Sequence, residues 1–345
     1  MLILAREARG LTQAELAKKI KMEQGTISKM ENEILDIEPY LDGLSKVLEF
    51  PKEFFLENFT PYNITAHYYR KRNDDNKKYK QNEAIINLYK LHIQKLLHSV
   101  EVIDSDLPTW DLSKDNLSPE TCAVALREYW GLPKGRVNNL VMLLESKGII
   151  IVELDLQSDK VDALSIYTNN NQALIFVNRF MPPDRQRFSI AHELGHLVMH
   201  FAKAIIASRD VEAEAMLFAG AFLMPEKDIK NQLFKLDLAK LGEMKLYWRV
   251  SMSAIIRRAK ELAMLTINQY TYLNRQMSVK GYRTREPAEF DIPKETPTII
   301  KQIIDLHINQ LNYSKEELAG MLKLFPSDFE TMYFSKNLKL RINKD

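Results

Sequence analysis

The stretch "RFSIAHELGHLVMH", residues 187–200, sets His192 and His196 four apart with Glu193 directly after the first. On an α-helix, residues four apart lie about 40° from each other around the axis and one turn along it. Two imidazoles so placed can close on one cation. The competing reading is an amphipathic helix whose polar side merely carries these residues, and buried paired histidines would then each need a hydrogen-bond partner. The apolar frame of Ile190, Leu194, Leu197 and Val198 suits either reading, while Gly195 leaves room beside the pair.

Two histidines alone make a poor site, because a catalytic zinc takes three protein ligands and keeps a fourth position for water. The next helical stretch, "VEAEAMLFAGAFLMP", offers Glu212 and Glu214. These point about 200° apart, so only one can face the metal. The buried face runs through Ala215, Phe218, Ala219 and Phe222. Glu212 precedes Ala215 by three residues and Ala219 by seven, which places it on that face and Glu214 toward the outside. The expected ligands are therefore His192, His196 and Glu212. Glu193 stays off the metal as general base for a water whose pKa zinc lowers toward about 7. His200, one turn further, is read as a surface or supporting histidine. Cys122, His67, His92, His98 and His307 have no spacing that suggests a site. Tyr167 and Arg187 are the nearby groups able to steady an oxyanion, and spacing places neither.

Composition narrows the class. A single cysteine rules out an internal disulfide and a Cys-rich zinc site, and suits a reducing cytosol. No apolar run approaches the roughly 18–20 residues needed to span a bilayer, so a cytoplasmic protein without a membrane partner is expected. The net charge of +2 hides a nearly even mixture, so no global basic field argues for nucleic acid.

Around the opening stretch the hydrophobic period changes. "GIIIVELDL", "ALSIYT" and "QALIFVN" read as three strands, the last two a hairpin about "TNNNQ". "MPPDRQR" reads as a break before a helix at residues 188–201, and a second helix at 210–224 stops at Pro225. Most of the remainder has helical spacing. Examples are residues 83–98, residues 119–129 capped by Ser118 with Pro119 at the first position, and "VNNLVMLLESKG" ended by Gly148. No internal repeat is evident. The fold class expected is α+β and mostly helical. Four regions follow: a helical unit at 1–57, a polar linker and helical connector at 58–118, the metal-bearing domain at 119–285, and a small helical region at 286–345.

Near the start, "LTQAELAKKIKMEQGTISKMEN" gives two short helices joined by a tight turn, with Thr12 placed to cap the first. A helix-turn-helix presents its second helix to the major groove in this way. Gln24, Thr26, Ser28 and Lys29 are the polar residues on that helix, and Gln13 opens the preceding one. Glutamine reads adenine; lysine and helix N-termini hold phosphate. Over residues 1–55 eight basic residues face ten acidic ones. Binding to double-stranded DNA therefore needs help, from a homodimer or from the basic "YRKRNDDNKKYK". A helical module that binds protein instead is the competing reading.

These motifs have a known counterpart. The N-terminal stretch resembles the XRE/Cro-type helix-turn-helix. "RFSIAHELGHLVMH" followed by "VEAEAMLFAGAFLMP" resembles the ImmA/IrrE family of zinc metallopeptidases, and the likeness extends to "LREYWGLPKGRVNNLVMLLESKGIIIVEL" before them and "GYRTREP" after. The resemblance implies a gluzincin-like domain at 119–285, with zinc on His192, His196 and Glu212 and with Glu193 as base. It also implies a protein substrate, a helix-turn-helix repressor whose cleavage relieves repression in a mobile-element or stress circuit. The sequence departs from the family at Met216, where an asparagine commonly follows the alanine. Two alternatives stand beside this reading: a DNA-binding regulator whose zincin domain does not cut, and a toxin–antitoxin or phage-defence component.

Overall fold

The structure is a computed structural model that describes residues 1–62, 76–100, 102–156, 162–200 and 209–334. Its contacts divide the chain into two units. One comprises Met1–Val102, Asp155–Asp159 and Ile299–Asp345; the other comprises Ile103–Leu154 and Lys160–Thr298. Seventeen α-helices and one three-stranded sheet make the described chain α+β and mostly helical, as expected.

The first unit opens with α1 (Leu2–Ala8), α2 (Gln13–Lys19), α3 (Gln24–Glu31), α4 (Leu41–Leu48) and the single turn α5 (Lys52–Phe55). Thr12 caps α2 with a reciprocal box: its side chain accepts from Glu15 N while the Glu15 carboxylate accepts from Thr12 N. Leu4, Ala8, Leu16, Ile27, Leu44 and Phe54 close the core between these helices. Helix α6 (Asn76–Leu96) packs along α1 and starts inside the stretch expected to be linker. Residues 63–75, including His67 and part of the basic segment, lie outside the described residues.

The same unit ends with α15 (Ile299–Asn309), α16 (Lys315–Met321) and α17 (Pro326–Tyr333). Here the expectation of no internal repeat fails. Helices α2 and α3 recur in form as α16 and α17, with the same lengths and the same turn between them. Five identities, at Glu317, Leu318, Ala319, Lys323 and Met332, join the paired stretches 12–32 and 314–334. A repeat this diverged survives in its caps and buried positions, not in its letters.

The second unit holds α7 (Pro119–Tyr129), α8 (Leu140–Ser146), α9 (Pro183–Met199), α10 (Val211–Leu223), α11 (Glu226–Ile229), α12 (Leu238–Trp248), α13 (Met252–Glu261) and α14 (Ile267–Val279). Its strands are β1 (Ile150–Leu154), β2 (Ala163–Tyr167) and β3 (Ala173–Asn178), in the order β1-β3-β2. β2 and β3 are the expected antiparallel hairpin, and β1 pairs parallel to β3. Central β3, "ALIFVN", is buried throughout, which is why it reads as one apolar run without alternation.

Helix α9 lies on β2 and β3, and α10 packs along α9. The former begins at Pro183, five residues before the expected start. Proline in the first helical position loses no needed N–H, so "PPDRQR" opens the helix instead of breaking the chain. Asp184 in that first turn is buried against Lys245 of α12 (2.6 Å), which Glu286 also meets at 2.7 Å. At the far end of α10, two buried arginines take up carbonyls that the helix leaves open. Arg127 donates to Phe222 O (2.9 Å) and Arg258 to Met224 O (3.0 Å). Both helices are thus pinned at their ends, and the space between them is set.

Candidate metal centre and nucleic-acid interface

Two turns of α9 and the first turn of α10 supply the polar cluster. His192 Nε2 and His196 Nε2 lie 3.0 Å apart, and the Glu212 carboxylate faces both, Oε2 at 3.4 Å from His192 and Oε1 at 3.4 Å from His196. Edges of a tetrahedron with bonds of about 2.0–2.1 Å are about 3.3–3.4 Å long, so the three donor groups stand at the spacing of a tetrahedral cation's ligands. A Glu193 oxygen lies within 4.8 Å of the two histidine nitrogens. A further contact is one that spacing along the chain gives no means of finding: Ser165 Oγ on β2 donates to Glu193 Oε2 at 2.7 Å.

Gly195 explains how close α9 and α10 come. A Cβ there would meet Phe218 Cδ1 at 3.0 Å, so glycine lets the Phe218 ring lie against α9 without having to shift. The facing of the two glutamates also differs in part from expectation. Glu212 turns to the histidines, but its side chain is 53% exposed, whereas Glu214, expected on the outside, is only 20% exposed. Glu214 turns inward because partners await it there. His200 Nε2 lies 2.9 Å from Glu214 Oε2, and Arg209 grips the same carboxylate at 2.8 and 2.5 Å. His200 is itself buried, with Nδ1 at 2.9 Å from His196 Nδ1.

Electrostatics follow from these contacts. Hydrogen bonds from His192 and His196 hold the Glu212 carboxyl well below the usual carboxylate range. Burial works against a charge on His192, but the Glu212 hydrogen bond and the charges of Glu193 and Glu212 outweigh it and raise its pKa. Around His200 the balance goes the other way: burial, then the neighbouring His196, pushes it down to about 4 despite Glu214.

The remaining polar candidates are placed elsewhere. Arg187 is buried and spends its guanidinium on Glu295 and the Val137 carbonyl, so it does not face the cluster. Tyr167 OH lies 3.4 Å from Leu197 O, and burial lifts its pKa to about 12. Cys122 is buried, its thiol pushed up to about 11 by desolvation. His92 and His307 meet Tyr333 and Ser99 instead.

In the first unit, Gln24 and Lys29 are exposed on α3, and Thr26 and Ser28 are half-buried beside them. Gln13 bridges the two helices, accepting from Gln24 Nε2 and donating to Glu31 Oε2, both at 2.7 Å. Arg6 and Arg9 do not contribute to a basic surface. The first is buried on Glu31 (2.5 Å), and the second on the Leu48 and Glu49 carbonyls. What remains exposed is Lys18, Lys19, Lys21 and Lys29, with Lys46 and Lys52 on the later helices.

Residues 144–260 match the family described as the IrrE N-terminal-like domain, peptidase M78, and residues 2–48 match the helix-turn-helix family. The chain is a fusion of the two. The IrrE N-terminal-like domain takes in α9 and α10 with the whole His/Glu/His cluster, and the helix-turn-helix match covers α1 to α4. No curated protein matches the chain. The helix-turn-helix match suggests DNA binding beside a peptidase-family domain, and no described helix is long and apolar enough to cross a membrane.

Proposed function

We propose that the fusion is a zinc-dependent endopeptidase in which His192, His196 and Glu212 hold the ion and Glu193 is the general base. The observation that carries this is the convergence of three donor groups at 3.0–3.4 Å with a second carboxylate, Glu193, beside them. Zinc bound there supplies Lewis acidity, which acidifies water and polarises a scissile carbonyl. Ser165 holds one Glu193 oxygen, which orients the carboxylate to take the proton from water and deliver it to the leaving amine. The domain at 119–285 is the unit that does this chemistry.

The DNA-facing residues in this reading are Gln24, Thr26, Ser28 and Lys29 on α3, with Gln13 at the start of α2. They hold the peptidase near an operator, where a repressor-like protein substrate is bound, and so raise its effective concentration. A homodimer would add a second basic face. Glu193→Gln tests the chemistry: it keeps the zinc and loses cleavage of the repressor that accumulates in its presence. Unchanged cleavage would remove Glu193 from the mechanism. Identical transcription with wild type and variant would leave the helix-turn-helix as the sole effector.

A further inference from the structure

The last two described helices reproduce the second and third. Ser314 caps α16 as Thr12 caps α2, with Glu317 answering three residues on as Glu15 does. Lys323 takes a left-handed φ of 59° where Lys21 has 56°. The turn then closes through Leu324 N to Ala319 O at 2.8 Å, as Met22 N bonds Ala17 O at 2.9 Å. Before each pair stands another left-handed residue, Asn312 (57°) and Gly10 (65°). The buried contacts correspond as well: Leu318 for Leu16, Phe329 for Ile27 and Met332 for Met30.

We propose that residues 299–334 are a second helix-turn-helix that does not read DNA and serves as an intramolecular partner of the first. Its reading positions are wrong for a polyanion. Where α3 presents Gln24, Thr26, Ser28 and Lys29, α17 carries Pro326, Asp328, Glu330 and Thr331. Proline has no N–H to give a phosphate, and two carboxylates at the groove-facing positions repel the backbone. Both carboxylates are already engaged, Glu330 with Lys315 at 2.9 Å and Asp328 with Arg9 at 3.0 Å.

The Arg9 contact shows what α17 grips. The Arg9 side chain is 1% exposed, donates to the carbonyls of Leu48 (2.7 Å) and Glu49 (2.8 Å), and lies 4.8 Å from the Phe50 ring centre. Asp328, nearer than the Glu49 carboxylate at 3.6 Å, is thus the closer of two counter-charges on an arginine that gathers the end of α4. The other end of α17 rests on α6, where Tyr333 OH is 3.0 Å from His92 Nδ1. Farther along, His307 of α15 meets Ser99 Oγ at 2.9 Å. Near its start, α6 meets the first helix-turn-helix through Lys77 to Glu15 (2.7 Å) and Gln81 to Ala8 O (3.2 Å). One long helix thus carries a reading copy toward one end and a bracing copy toward the other.

Two measurements on the full chain test this. With a mixed-sequence DNA duplex as probe, Lys29→Ala weakens binding and lowers the salt slope by about one. Ser327→Ala and Thr331→Ala, at the counterparts of Gly25 and Lys29, leave both unchanged. A lowered slope in either α17 variant means that the repeat reads DNA and overturns the proposal. Asp328→Asn keeps the shape but removes the charge opposite Arg9. Amide hydrogen exchange over residues 48–55 then speeds up on the order of tenfold, while exchange in α9 stays as it was. Unchanged exchange over 48–55 would mean that α17 does not brace the first unit.

Discussion

His196 Nδ1 lies 2.9 Å from Nδ1 of His200, whose other ring nitrogen lies 2.9 Å from Glu214. This chain of contacts fixes where the protons are. With its pKa held down to about 4, His200 carries one ring proton at neutral pH. Glu214, ionised and gripped by Arg209, only accepts, so that proton sits on His200 Nε2. His200 Nδ1 must then accept from His196 Nδ1–H. With a cation bound in place of the His196–Glu212 hydrogen bond, His196 Nε2 would turn its lone pair to the metal, the tautomer this relay favours.

His200→Ala removes the acceptor that fixes this tautomer. Zinc affinity, measured by competition with a chromophoric chelator, is expected to fall about 10–100-fold, beyond the modest drop in the melt of the metal-free protein that losing a buried hydrogen-bonded ring brings. Glu214→Gln should fall in the same direction by less. Wild-type affinity in His200→Ala would show that the ring of His196 is oriented by something else.

Ser165→Ala acts on the neighbouring carboxylate. Losing the 2.7 Å bond from Ser165 Oγ removes a charge-assisted contact from Glu193. Such contacts contribute about 1.5–3 kcal/mol, so kcat for the substrate found with Glu193→Gln should drop about 10–100-fold. Zinc content and KM should stay near wild type. A fall in zinc content instead would make Ser165 a support of the whole centre.

Gly195→Ala tests the approach of the two helices. The added methyl meets the buried Phe218 ring at 3.0 Å, and the ring has little room to retreat. Overpacking of this kind costs about 1–3 kcal/mol. Because α10 carries Glu212, the strain should also widen the donor spacing and weaken zinc binding. A variant with a lower melting temperature and undiminished zinc affinity would separate packing from the metal site.

Much of this was legible in the sequence, and the reasons for the failures are physical. The His-Glu-x-x-His spacing and the hairpin "ALSIYT…QALIFVN" are local patterns, and the structure has them as a helix and as paired strands. Ser165 is not legible because it reaches Glu193 from the sheet to the helix packed on it, twenty-eight positions along the chain. The exposure of Glu212 and Glu214 was misjudged because helical facing ignores the partners, Arg209 and His200, that draw Glu214 inward. The repeat in α16 and α17 is not legible in the letters because its shared features are a capping box, a left-handed lysine and buried positions, which tolerate most changes of residue.

His92 makes the first unit sensitive to mild acid. It is fully buried on α6 against Tyr333, and burial, with Lys95 adding to it, pulls its pKa down to about 3. Its Nε2 has no hydrogen-bond partner among the described residues, so a second ring proton would be a buried, unpaired charge. In the unfolded chain a histidine titrates near 6.5. Above that pH both states are neutral and the full stability is present. As pH falls from about 6.5 toward about 3, only the unfolded state takes up the proton, and stability is lost by at most roughly 1.4 kcal/mol per pH unit. Glu15 and Glu57, whose carboxyls are held below their ordinary values by lysines, stay ionised between pH 5 and 7 and do not contribute there. His92→Gln cannot titrate but keeps a polar atom for Tyr333. Urea midpoints followed by a probe in the first unit should fall between pH 7 and 5 for wild type and stay nearly level for the variant. Equal falls in both proteins would assign the acid sensitivity to another group.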